Sequence, residues 1–90
     1  MFIPEDPEEA IQAAIKILKK LLDRPDIPRN IREIIDRALE HLQKTEREPH
    51  MRASAAIDVL NEITEKQNVP KPIRSYIRQV IAILESINPK

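Results

Sequence analysis

The side chains in this sequence that could do chemistry are few. They are His41 and His50, a hydroxyl among alanines at Ser54, and a run of acids at Glu33, Asp36 and Glu40. A di-iron bundle needs a Glu three residues before a His on two helices. Position 38 is Ala and position 47 is Arg, so that spacing fails. Glu33, Asp36 and Glu40 recur at helical spacing among Arg32, Arg37 and Lys44, the pattern of an ion-paired, solvated face. Ser54 has no assignable base or oxyanion donor, and close helix packing accounts for it better. From the residues alone, no catalytic, cofactor-binding or metal-ligating set is expected.

Composition narrows the field further. The chain has 90 residues, 15 Lys plus Arg, 15 Asp plus Glu, and a formal net charge of zero. It has no Cys and no Gly, which excludes disulfides, thiolate metal sites and every glycine-dependent phosphate loop. Balanced charge, with acids interleaved among Arg24, Arg29, Arg32, Arg37, Arg47 and Arg52 and almost no aromatics, argues against nucleic acid as a partner. No apolar run reaches the roughly 18 residues of a membrane span. The start, Met-Phe-Ile-Pro-Glu-Asp, does not read as a signal peptide, so a natural chain of this kind is expected in the cytoplasm. The length allows one domain, 1–90.

Stepping from residues to elements, the apolar side chains recur at helical spacing in four segments. Asp6-Pro7-Glu8-Glu9 is a helix start, with an acid at the cap, proline at the first position and Glu9 placed for a capping box. Helices are expected at about 7–22, 28–44, 51–66 and 70–87. Their inward stripes are Ile11, Ile15, Leu18 and Leu22; Ile31, Ile34, Ile35, Ala38 and Leu42; Ala53, Ile57, Leu60 and Thr64; and Ile73, Tyr76, Ile77, Val80, Leu84 and Ile87. Each arc spans roughly 160°, wider than the ~100° of a surface helix, so each helix should touch two neighbours. Phe2 and Ile3 are expected to plug one end.

The sequence also repeats itself at an offset of 42 residues. Nine positions between 13 and 42 are identical to their partners, among them Ala13-Ala14-Ile15 with Ala55-Ala56-Ile57, Pro28 with Pro70, and Ile31-Arg32 with Ile73-Arg74. The fold expected is all-α, an antiparallel four-helix bundle made of two repeated hairpins, 6–45 and 50–88. The 15 isoleucines against 7 leucines point to a stiff, heat-resistant core.

Leu21-Leu22-Asp23-Arg24-Pro25-Asp26-Ile27-Pro28, followed by Ile31-Arg32, resembles the turn inside HEAT-type helical repeats. That resemblance implies that Arg32 and Arg74 are structural, bonding turn or neighbouring-repeat groups. The segments 27–32, 52–63 and 68–85 resemble more closely a family of small archaeal proteins of unknown function. Where that family carries an aromatic in the last helix, often Trp, this chain has Arg78. An isoleucine-dominated core nearly free of aromatics also suits a redesigned member of such a family, a stable scaffold with no other task.

His41-Leu42-Gln43-Lys44 resembles the His-x-x-Lys stretch of histidine-containing phosphotransfer domains, which are also four-helix bundles. The resemblance implies phosphoryl acceptance by His41 with Lys44 supplying positive charge, although Thr45 stands where those domains carry Gly. The remaining candidate is apolar. Ile17, its repeat partner Val59, and Ile83 fall at the margins of their arcs, where partial exposure would give a surface for self-association or a protein partner. The function expected is therefore a non-enzymatic structural bundle, with an archaeal protein-interaction module as the alternative and phosphotransfer behind it.

Overall fold

The computed structural model describes residues 6–87, and those residues form four helices with no strand. They are α1 (Pro7–Leu22), α2 (Arg29–Leu42), α3 (Pro49–Thr64) and α4 (Lys71–Glu85). The expected plug of Phe2 and Ile3 lies outside the described residues. At the start of α1, Asp6 Oδ1 accepts a hydrogen bond from the Glu8 N–H at 2.9 Å. The capping-box partner expected at Glu9 is not used; Glu8 turns instead towards Arg52, as described below.

Proline explains where the other helices begin. Pro28 and Pro70 sit one residue outside α2 and α4 as extended N-caps, with ψ of 150° and 144°. Pro49 lies inside α3 at its first position, where a missing N–H removes no helical bond. The helix therefore starts two residues earlier than the apolar pattern alone suggests.

Helix ends pose a harder problem. The last carbonyls of a helix have no partner within it, and the usual remedy is a glycine in the left-handed region just past the end. This chain has no glycine, and no described residue has positive φ. A side chain from the next helix supplies the remedy instead. Arg32 Nη1 donates to the Leu22 carbonyl at 2.8 Å, and Arg74 Nη1 to the Thr64 carbonyl at 2.9 Å. Arg52 Nε and Nη2 both donate to the Leu42 carbonyl, at 2.9 and 2.5 Å. In each case the acceptor is the last residue of the preceding helix and the donor is the fourth residue of the following one. Side chains in a helix lean towards its N-terminus, so an arginine at that position reaches back across the turn. All three connections, 23–28, 43–48 and 65–70, are six residues long, which keeps the reach the same.

The core then closes around the isoleucines. Ile11, Leu18, Ile31, Ile35, Leu42, Leu60, Ile63, Ile73 and Ile77 are fully buried. The most extensive packing joins α2 to α3, followed by α1 with α4 and α3 with α4. α1 also meets α3 across the middle, where the buried Ala10, Ala14, Ala53 and Ala56 allow close approach. α2 and α4 occupy opposite corners, with no close backbone approach between them. The radius of gyration is 12.2 Å, matching the roughly 12 Å of a closed globule of this length. The bundle is closed, not splayed into a solenoid.

Candidate binding face

The apolar margin read from the sequence does not survive packing. Val59 is 8% exposed and belongs to the core, and Ile83 is 4% exposed. Arcs this wide are covered on both flanks by neighbouring helices, so their edges become interior. Ile17 alone of the three stays half-buried. Tyr76 departs in the other direction: read as part of the inward stripe of α4, it is 44% exposed. Ile17 and Tyr76 face each other across the α1–α4 seam, with Lys20, Leu21 and Arg24, around a hollow of about 250 Å³. Leu21 forms a buried floor beneath it.

Arg24 is fixed on the rim of that hollow. Its Nε and Nη2 donate to Asp26 Oδ1 and Oδ2 at 2.9 and 3.0 Å, a two-point grip on the carboxylate. The hydrogen bonds from Arg24 hold the Asp26 carboxyl below the ordinary carboxylate range, and the same bonds raise the Arg24 guanidinium above its own. On α4 a second hollow is lined by Lys71, Arg74, Ser75 and Arg78. Ser75 of that hollow and Tyr76 of the first are consecutive.

The middle of α1 and most of α4 are basic: from Gln12 to Leu22 and from Lys71 to Leu84 there is no Asp or Glu, while Lys16, Lys19, Lys20, Lys71, Arg74 and Arg78 all lie there. Glu8 and Glu9 open α1, Glu85 closes α4, and Glu33, Asp36, Glu40, Asp58 and Glu62 lie on α2 and α3. Three of the four arginines of α2 and α3 are engaged: Arg37 pairs with Glu62 at 2.6 Å, Arg32 holds a carbonyl, and Arg52 holds a carbonyl and Glu8, while Arg29 only approaches Glu33, at 3.9 Å. Among the described residues, Lys16, Lys19, Lys20, Lys44, Arg47, Lys66, Lys71 and Arg78 pair with no carboxylate.

The catalytic candidates are not assembled. His41 is half-buried near the C-terminus of α2, which ends at Leu42. Lys44 lies beyond that end, so the three-residue spacing does not place it one turn along the same helical face. His50 Nδ1 is 3.6 Å from Glu48 Oε1, beyond a hydrogen bond. His50 and Ser54 share a hollow with Ala53, Ile57, Asp58, Leu84, Glu85 and Ile87, but no hydrogen bond joins His50 to Ser54. Among the described residues, no group of three or more His, Cys, Asp or Glu could hold a metal ion. No described helix is long and apolar enough to cross a membrane.

The fold and its surface thus define a small all-α bundle with arginine-latched connections and a hollow at the α1–α4 seam. Residues 2–87 match the family described as "Uncharacterised protein family (UPF0147)", and the chain belongs to that family. It is 39% identical over 87 residues to the UPF0147 protein of Aeropyrum pernix, covering 97% of this chain and 96% of the relative. The UPF0147 proteins of Saccharolobus islandicus and Saccharolobus solfataricus are each 36% identical over 87 residues, covering 97% of this chain and 98% of theirs. No solved structure matches it. The archaeal resemblance carried by segments 27–32, 52–63 and 68–85 is thereby established as family membership. The HEAT-like and redesigned-scaffold expectations gain no support from the relatives or from the packing.

Proposed function

We propose that this chain is a non-enzymatic binding module that engages a macromolecular partner through its α1–α4 face. One observation carries the reading: the half-buried Ile17 and the 44% exposed Tyr76 line one hollow, whereas the other large exposed apolar side chain among the described residues, Met51, lines none of the hollows described here. Apolar and aromatic anchors in a hollow ringed by polar groups are the usual energetic centre of an interface. Self-association through Ile17, Val59 and Ile83 draws less support, because two of the three are buried. Light scattering across concentrations should therefore return a monomer near 10.4 kDa. Descent of 6–45 and 50–88 from one hairpin remains part of the proposal, supported by the nine identities and the equal connections.

The direct test uses tagged chain, wild type against Ile17→Glu, in extracts of an archaeon that carries the family. The reading expects a discrete bound component with the wild type that is lost with the variant, while both chains give the same melting curve. Equal recovery by both, or none by either, defeats it.

A further inference from the structure

We infer that the hollow between α1 and α4 receives one leucine- or phenylalanine-sized side chain of an acidic partner peptide, whose carboxylate pairs with Lys20. The inference rests on the binding-module reading and names the partner's chemistry. Its support is a comparison with the other long seam of the same molecule. The 42-residue offset sets α1 against α3 and α4 against α2, so the α1–α4 seam corresponds to the α2–α3 seam. At the α2–α3 seam, Ile34 stands in the place of Tyr76 and Val59 in the place of Ile17, and both are buried. Three residues on in each helix, Arg37 bonds Glu62 across the seam at 2.6 Å. That seam supplies its own apolar filling and its own charge pair.

The α1–α4 seam lacks both. Ile17 is half-buried, Tyr76 stands half out of the surface, and a hollow of about 250 Å³ lies beside them. Lys20 stands in the place of Glu62 and Gln79 in the place of Arg37, so a lysine and a neutral amide replace the ion pair. Lys20 lines the hollow and makes no ion pair, with Asp23 one turn on or with any other described carboxylate. Asp26, near the rim, accepts with both oxygens from Arg24. Glu9 and Glu85 lie at the far ends of α1 and α4, about 13 Å or more along the helices from Lys20 and Tyr76, beyond the roughly 8 Å screening length at physiological salt. Lys44, Arg47 and Lys66 are equally without a carboxylate, but none of them lines a described hollow.

Size and lining specify the occupant. A cavity of about 150 Å³ holds benzene, and clefts for drug-sized ligands start at about 300 Å³, so this hollow fits one bulky side chain. Ile17, Leu21 and the Tyr76 ring give that side chain an apolar seat, and Lys20 gives the rim a cation. A seated anchor with a complementary charge at the rim is the ordinary build of a protein interface. A carboxylate one helical turn from the anchor reaches Lys20 as Arg37, one turn from Ile34, reaches Glu62. The hollow on α4 lined by Lys71, Arg74, Ser75 and Arg78 has no apolar seat and fits no such anchor.

The experiment selects a displayed library of short random peptides on the full chain, then measures the enriched peptides by fluorescence anisotropy. They should carry Leu or Phe within one helical turn of Asp or Glu. Lys20→Glu should weaken them about tenfold and, used as bait, should turn the selection towards Lys and Arg. Tyr76→Ala should weaken them about thirtyfold, the loss of one interface hot spot. Gln79→Glu, which offers Lys20 a carboxylate from within the chain, should weaken them about fivefold without lowering the melting temperature. Lys44→Glu, on an equally unpaired cation away from the hollow, should leave binding unchanged. Matching melting curves establish that each variant is folded. The inference is overturned by no enrichment, by enrichment of basic or acid-free peptides, by unchanged binding in Lys20→Glu, or by an equal loss in Lys44→Glu. Displacement of the peptides by unlabelled chain puts a second copy in the hollow and overturns it too. If the inference falls while the Ile17-dependent partner persists in extracts, the module reading stands; if that partner is absent as well, both fall.

Discussion

Replacing Arg52 tests the idea that arginine latches, standing where glycine caps would be, terminate the helices of this bundle. Arg52 is 2% exposed and touches three helices at once: it sits on α3, donates twice to the last carbonyl of α2, and reaches Glu8 at the start of α1 at 3.0 Å. Arg52→Ala leaves the buried Leu42 carbonyl without this partner, at about 1–3 kcal/mol. It also removes two buried methylenes, Cγ and Cδ, worth roughly 1.6 kcal/mol. Against this, an unconstrained side chain regains up to about 2 kcal/mol of rotamer entropy. The ion pair with Glu8 adds little, because the Glu8 side chain is 48% exposed and solvent-screened pairs contribute about 0–1 kcal/mol. The expected loss is about 2 kcal/mol.

In urea, with a slope of roughly 1.5 kcal/mol/M, that loss lowers the midpoint by about 1.3 M, read by far-UV circular dichroism. Arg52→Met keeps the stem and loses the donors, so it should cost about 1–2 kcal/mol. Glu8→Gln should cost less than about 1 kcal/mol. The reasoning is refuted if Arg52→Ala costs under about 1 kcal/mol, or if Glu8→Gln matches it. The second outcome would move the stabilisation from the carbonyl to the ion pair.

The other expectations are shorter. Arg32→Ala and Arg74→Ala, both at half-buried latches, should each cost about 1–2 kcal/mol in the same urea assay. Arg74 should be the larger, since it also donates to the Lys66 carbonyl at 2.6 Å. Ten isoleucines are buried, and calorimetry should place the thermal midpoint above the roughly 45–65 °C of ordinary mesophile domains; a midpoint inside that range contradicts the stiff-core argument. Asp26 titrates below its ordinary range because Arg24 bonds its charged form. Its contribution is therefore present above the unfolded value of about 3.9 and is lost as pH falls through the lower folded value. An NMR titration should find the depressed value and see it return towards about 3.9 in Arg24→Ala; no return would remove Arg24 as the cause.

Apolar periodicity placed every helix correctly because burial on one stripe is a local property of the chain. The ends moved by a residue or two where proline decided between cap and first turn. The structural role of Arg32 and Arg74 came only from the resemblance of their turn to HEAT-type repeats; in the fold both bond the last carbonyl of the preceding helix. Arg52 escaped that reading, since its 42-residue counterpart is Ala10. The signal that finds it is a shorter one: arginines at 32, 52 and 74, each the fourth residue of its helix. The unit that repeats in the connections is a helix end, six residues and a latch, used three times. The hollow at the α1–α4 seam was illegible for a different reason: α1 and α4 come from opposite ends of the chain, and only closure of the ring sets Ile17, Lys20 and Arg24 beside Tyr76. The same closure buries Val59 and Ile83 and leaves Tyr76 outside, because the space beside a helix belongs to whichever neighbour packs there. Periodicity sees which side chains want cover; it does not see which helix provides it.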